Sequence, residues 1–362
     1  MSRLSIKKSI LFVQLGLVFI GIITYVYFRE ARYDDCSNKL WEEKGCVYEH
    51  QIKEIIESSC IQRLKKIDQS GPSRYFGPKV PHFSRYEHSI GVLSLLKKAE
   101  VHINEQIAGL LHDASHTVFS HVGDYLFSSN LKECAQRGYQ DSIHLSFLEQ
   151  KVGFLLKKLN LKLGDVNPDN VKYKALEQPL PDMCADRIQY NIHTGVIMKI
   201  ISLREAQAIV DNLRFNGDKW FFLDHTVARK FANLSIHFTR ELWGAKWNVL
   251  MNIYFSNAIK RAIKLGIMMM DDIFSTDENV LTKLLKSDDE IIKSNLKQCN
   301  DPLNKMKGVK HPVQRFYPKC RAIDPLIKCG DGTLARLSSI DSSFKAEYDD
   351  IIKWCKQGYD LD

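Results

Sequence analysis

The segment "RYEHSIGVLS", starting at Arg85, sets an arginine and an acid ahead of His88 and then continues with apolar residues at helical spacing. Further on, "LLHDASHTVFSH" brings His112 and Asp113 to the end of an apolar helical run, with His116 and His121 close behind. These four ionisable side chains crowd into one short stretch directly beneath an otherwise buried stripe, a setting that a shared ligand explains better than chance. Imidazole and carboxylate together suit a single divalent transition ion such as Mn, Fe, Ni or Zn, with Mg possible but less favoured by histidine. Adjacent His112 and Asp113 can both reach one ion from a helix end. A neighbouring helix supplies His88, and a further ligand must come from elsewhere.

The elements that would position these groups are mostly helices. "HQIKEIIESSCIQRLKKI", "YEHSIGVLSLLKKA", "NEQIAGLLHD" and "HLSFLEQKVGFLLKKL" each space apolar residues three and four apart. The glycine- and proline-bearing stretch "DQSGPSRYFGPKVPHFS" reads as a loop, as does "GDVNPDNVKYKALEQPLP". Asp182 then stands as an N-cap for the helix in "DMCADRIQYNIHTGVI". In "LRFNGDKWFFLD" the period turns strand-like around Asn216-Gly217, the signal for a hairpin. Helical pattern returns in "VARKFANLSIHFTRELW", "WNVLMNIYFSNAIKRAIKLGI" and "ENVLTKLLKS", and 300–341 suggests short strands and turns. The fold class expected is mainly α with a small β component in the C-terminal half.

Composition narrows the function. The chain has 362 residues and is 44% hydrophobic, enough for a substantial core. Of the formal charge of +8, half lies in residues 1–32, where Arg3, Lys7, Lys8, Arg29 and Arg32 face Glu30 alone. The remaining charge is thinly spread, which gives no strong nucleic-acid signal. Residues 9–28, "SILFVQLGLVFIGIITYVYF", carry no charge and would span about 30 Å as a helix, so a single-pass membrane anchor is expected there. Basic residues flank it on both sides, so the side of the membrane occupied by the body is left open. Nine cysteines without a CxxC pair indicate neither a zinc finger nor a complete disulfide framework. Tryptophans in "KWFFLD" and "RELWGAKW", and the methionines at 268–270, read as packing residues.

Taken together, "RYEHSIG", "AGLLHDASHTVFSHVGD" and "DRIQY" resemble the HD-domain metal-dependent phosphohydrolases. Within them the chain is most similar to the deoxynucleoside triphosphate triphosphohydrolase branch, SAM-and-HD-domain-like. The resemblance implies that His88, His112, Asp113 and Asp186 ligate the metal. It places Arg85, Arg187 and Tyr190 at the substrate and His116, His121, Asp124 and His144 around the scissile phosphate, with His121 as general acid and Asp124 its orienting partner. Arg187 stands where that branch has lysine, and Gln189 where it has an acid. The family also implies a helical bundle and a homo-oligomer.

The division expected is a basic segment and membrane anchor over 1–32, an HD domain over 33–200 and a mixed α/β extension packed on it over 201–362. The activity expected is hydrolysis of dNTPs to deoxynucleoside and tripolyphosphate. The alternatives are an HD phosphatase or phosphodiesterase for another nucleotide, or a non-catalytic nucleotide-sensing or scaffold protein.

Overall fold

The computed structural model describes residues 40–41, 49–128, 138–304 and 315–361. Helices α1 (His50–Glu57), α2 (Ser59–Arg63), α3 (Arg85–Lys98) and α4 (Ile103–Leu111) lead to the histidine-bearing loop. They are followed by α5 (Val122–Phe127), α6 (Tyr139–Lys158) and α7 (Ala185–Ile197). Next come α8 (Leu203–Asn212), the strands β1 (Leu213–Phe215) and β2 (Trp220–Phe222), and helices α9 (His225–Phe238), α10 (Lys246–Lys264), α11 (Asp277–Leu285) and α12 (Glu290–Asn300). Beyond them lie β3 (Arg315–Phe316), β4 (Leu326–Lys328), β5 (Leu334–Arg336), α13 (Leu337–Ile340), α14 (Ser342–Gln357) and β6 (Tyr359–Asp360). The fold is mainly α with a small sheet component, as the periodicity suggests.

The hairpin forms where Asn216-Gly217 signals it, with Phe215 opposite Trp220 and Gly217 at φ +92°. Its β2 strand pairs in parallel with β4, and β4 antiparallel with β5, giving the sheet order β1-β2-β4-β5. A separate antiparallel pair joins β3 to β6.

Three local expectations change. The helix read over 50–67 breaks at Ser58, whose backbone is extended, while its hydroxyl accepts from Ile61 N and donates to Ile55 O. The helix containing Asp186 starts at Ala185 with Cys184 at the N-cap. Asp182 instead accepts from Lys219 at 2.6 Å and from Arg336, tying the preceding loop to β5 and the hairpin. The third change concerns the membrane. Among the described residues no helix is long and apolar enough to cross a bilayer, so the single-pass membrane assignment is withdrawn. The stretch 9–28 on which it was based lies outside the described residues.

Two large apolar clusters make the core, and each draws on residues from both sides of position 200. Helix α3 runs between them. Leu93 belongs to one cluster with Leu110, Phe119, Met251 and Phe255, while Val92, Leu95 and Leu96 belong to the other with Ile188, Phe231 and Ile327. A helix apolar on nearly every side is one buried on nearly every side.

A polar clamp orders the loop between α4 and α5. Asp277, at the start of α11 and fully buried, accepts from Phe119 N at 2.6 Å with Oδ1 and from Asp68 N at 2.9 Å with Oδ2. Val118 N donates to Ile273 O at 2.8 Å, and Arg63 donates to the carbonyls of Ala114 and His116 at 3.1 and 2.6 Å. These bonds hold Phe119 and Ser120 in the left-handed region, at φ +54° and +55°. Replacing Asp277 with Ala leaves two buried amides without acceptors. The expected cost is about 3 kcal/mol, read as a lower midpoint in chemical denaturation.

Candidate metal centre

Ser84 and Glu87 set the start of α3. Ser84 Oγ accepts from Glu87 N at 3.2 Å while the Glu87 carboxylate accepts from Ser84 N at 2.7 Å, a reciprocal cap. With the start fixed, Arg85 and His88 fall three residues apart on one face. His112 ends α4, its Nδ1 donating to Gly109 O at 2.6 Å. His88 Nδ1 donates to Gln189 Oε1 of α7 at 2.5 Å. With each Nδ1 hydrogen committed, both Nε2 atoms present lone pairs inward, and they lie 3.1 Å apart.

Asp186, in the first turn of α7, points Oδ1 at the same place, 3.0 Å from His88 Nε2 and 3.7 Å from His112 Nε2. Asp113 completes the surround, with Oδ2 3.5 Å from His88 Nε2 and Oδ1 3.6 Å from His112 Nε2. One ligand atom from each of His88, His112 and Asp186 lies within 4.8 Å of the others. Two buried imidazole lone pairs and the Asp186 carboxylate converging on one point, with the Asp113 carboxylate beside both rings, are what a divalent cation satisfies. Nitrogens about 2.1 Å from one ion at right angles stand about 3.0 Å apart, close to the spacing seen. The donor set fits a first-row ion.

The surrounding charges follow from this convergence. Burial opposes charge on His112, but Asp113 and the hydrogen-bonded Asp186 outweigh it and hold the imidazole up at about 9 in the metal-free site. Asp113 is itself buried, and Arg85, donating at 2.6 Å, keeps its carboxyl far below the ordinary range. Arg85 Nε also donates to Ser120 Oγ at 2.9 Å, whereas its second terminal nitrogen is buried without a partner among the described residues. Burial and the Arg85 charge push His116 down to about 3, so it is neutral, with Nε2 3.2 Å from Asp113 Oδ1.

The other sequence candidates divide. His121, with nearly half of its side chain exposed, is held through Nδ1 by Asp124 Oδ2 at 3.0 Å; Asp124 in turn accepts from Tyr139 N at 2.7 Å. Both line a cavity of about 370 Å³ with Arg85, His112, Asp113, His116, Asp186, Arg187 and Tyr190. Arg187 is largely engaged by the Gln178 and Asp182 carbonyls, at 2.5 and 3.2 Å. His144 is buried behind Ser115, whose hydroxyl meets its Nδ1 at 2.8 Å, and it does not line the cavity. Burial pulls it down to about 4, so it too is neutral.

The sequence reading missed the far wall. Lys319 and Arg321 reach the cavity from the segment before β4, Arg321 with its guanidinium 5.9 Å from the Tyr190 ring centre. Trp243, expected in the core, lines the cavity at the end of a π-helical turn (Thr239–Trp243) and meets Tyr190 edge-on at 4.8 Å. No local pattern around these residues connects them to the histidines.

The HD domain family matches residues 85–149. The uncharacterized protein YdhJ of Bacillus subtilis is 32% identical over 283 residues, 77% of this chain and 85% of that protein. This chain belongs to the HD-domain metal-dependent phosphohydrolases. The metal-dependent phosphohydrolase cns2 of Cordyceps militaris is 31% identical over 46% of this chain and 47% of its own length. SAMHD1 of Bos taurus, a deoxynucleoside triphosphate triphosphohydrolase, is 38% identical over 91 residues, 21% of this chain and 15% of that protein. A phosphohydrolase structure from Bacteroides thetaiotaomicron superposes with a TM-score of 0.60 at 16% identity, over 81% of this chain and 91% of that one; the likeness is one of fold.

Membership in this HD family makes the metal test direct. Mn titrated into the metal-free chain is expected to raise its unfolding midpoint, by about 2.7 kcal/mol of stability at a hundredfold excess over Kd. His112→Ala should abolish that gain. Gln189→Leu, which strips the Nδ1 acceptor from His88, should weaken Mn binding about 10- to 100-fold by calorimetry.

Proposed function

We propose that the chain hydrolyses deoxynucleoside triphosphates to deoxynucleoside and tripolyphosphate, with His88, His112, Asp113 and Asp186 as metal ligands. The observation that carries the reading is the meeting in one cavity of His112, Asp113 and Asp186, with His88 buried behind them, and the cations Arg85, Arg187, Lys319 and Arg321. A polyphosphate is the substrate chemistry such a cationic lining favours. The substrate named for SAMHD1 agrees with it.

His88, His112, Asp113 and Asp186 would hold a divalent ion, which would supply acidification of water and polarisation of a phosphoryl oxygen. The unpartnered Arg85 nitrogen is suited to donate to a phosphate oxygen. Lys319 and Arg321 balance the charge of the remaining phosphates. His121 uses Nδ1 on Asp124, which leaves Nε2 to hand a proton to the departing 5′ oxygen as its bond to the α-phosphorus breaks. Neutral His116 holds Asp113 through Nε2 and contributes orientation.

The full chain incubated with Mn and a panel of dNTPs, NTPs, monophosphates and cyclic nucleotides tests this. Deoxynucleoside and tripolyphosphate in equal amounts are expected from dNTPs, with Asp113→Ala slower by about a thousandfold or more. Alanine at Lys319 or Arg321 should raise KM about 10- to 100-fold, the worth of a charged hydrogen bond. Orthophosphate or pyrophosphate released from another nucleotide would assign the phosphatase or phosphodiesterase alternative. Bound metal with no turnover would assign the binding-protein reading.

A further inference from the structure

Helix α10 contributes two asparagines to the cavity wall, Asn248 and Asn252, one turn apart. Asn252 is 7% exposed and sits between buried Met251 and Phe255-bearing turns, so its amide can face little but the cavity. Its Nδ2 donates to Asn248 O at 2.8 Å and to Asn248 Oδ1 at 3.2 Å. That bond fixes both amides. Asn252 has spent its nitrogen and offers its oxygen, while Asn248 turns its oxygen to Asn252 and offers its nitrogen. Among the described residues neither remaining atom has a hydrogen-bond partner. The wall therefore presents an acceptor and a donor in a fixed order, in a cavity that the edge-on aromatic pair Trp243 and Tyr190 also lines.

We infer that Asn248 and Asn252 read the edge of the substrate's nucleobase, with Trp243 against its face. The inference rests on the nucleotide reading above and goes beyond it by assigning base selection to the C-terminal half. A phosphate-only substrate needs no such pair. Each nucleobase edge carries its own order of donors and acceptors, so a pair of fixed order favours the base that matches it. A mismatched base lying over the wall would shut water off from the Asn252 oxygen without giving it a donor, and a site built around hydrogen bonds rejects strongly on that account.

The test measures kcat/KM of the full, metal-loaded chain for the four dNTPs, then for Asn252→Leu and Asn248→Ala. The unaltered chain is expected to prefer one base by about tenfold or more. Both variants should raise KM for that nucleotide about tenfold and flatten the preference, with the change falling on KM rather than kcat. Asn248 is the more exposed of the two, so Asn248→Ala carries the test if Asn252→Leu does not fold. A flat profile in the unaltered chain, or an unchanged preference in the variants, overturns the inference while leaving nucleotide hydrolysis standing. Absence of turnover on every nucleotide overturns the nucleotide reading, and this inference with it.

Discussion

Two buried imidazoles aim their Nε2 lone pairs at each other across 3.1 Å, and the rest of the architecture can be traced from that constraint. Lone pairs at this distance repel unless a proton or a cation lies between them. A proton can fill the gap, and burial working against it is outweighed by Asp113 and the hydrogen-bonded Asp186, which hold His112 up at about 9. The Nδ1 acceptors keep the arrangement from relaxing. If Gln189 or the Gly109 carbonyl let go, either ring could flip and escape the conflict.

Bringing the rings together demands unusually close helices. A Cβ on Gly109 would stand 2.2 Å from Leu96 Cδ1, so α4 approaches α3 only because that position has no side chain. A Cβ on Gly91 would fall 2.5 Å from Gln189 Nε2, the residue that orients His88. The same approach concentrates negative charge, since Asp113 and Asp186 both face the rings. Arg85 offsets part of it from the same face of α3 that carries His88, and the buried Arg85–Asp113 pair is tolerable because Ser120 takes a second guanidinium nitrogen. Ser120 is available only while Asp277 and Arg63 hold its loop in a left-handed turn. Geometry at the centre is thus maintained by residues well outside it.

How much of this could be read from sequence depends on whether the physics is local. His88, His112 and Asp113 announce themselves because ionisable residues stand within a turn or two of apolar helical pattern. The Asn216-Gly217 hairpin is legible for the same reason. The Ser84-x-x-Glu87 cap is equally local, its signature standing directly ahead of the apolar run. Asp182 shows the opposite case. As a helix cap it was a sound local reading, but Arg336, 154 residues away, competes for the carboxylate and wins. Lys319, Arg321 and Trp243 had no local sign at all, because what gives them a role is the cavity they line. The membrane reading of 9–28 rested on composition and length, with no bearing on how the described helices pack.

The distant contributions also explain why the family match, confined to 85–149, describes less than the site needs. The motif holds His88, His112 and Asp113, the side chains proposed as ligands, and His116 and His121 beside them, a set that any phosphoester chemistry can use. What distinguishes one substrate from another must come from walls that the motif does not encode. Here those walls come from the π-turn before α10, from α10 itself and from the segment ahead of β4. The β2–β4 pairing supports this arrangement, since it links the hairpin after α8 to the chain just beyond Arg321 and so couples the cationic segment to the body of the fold. On the proposed function, selectivity in this chain is a property of tertiary packing, set by walls that lie outside the histidine and aspartate motif.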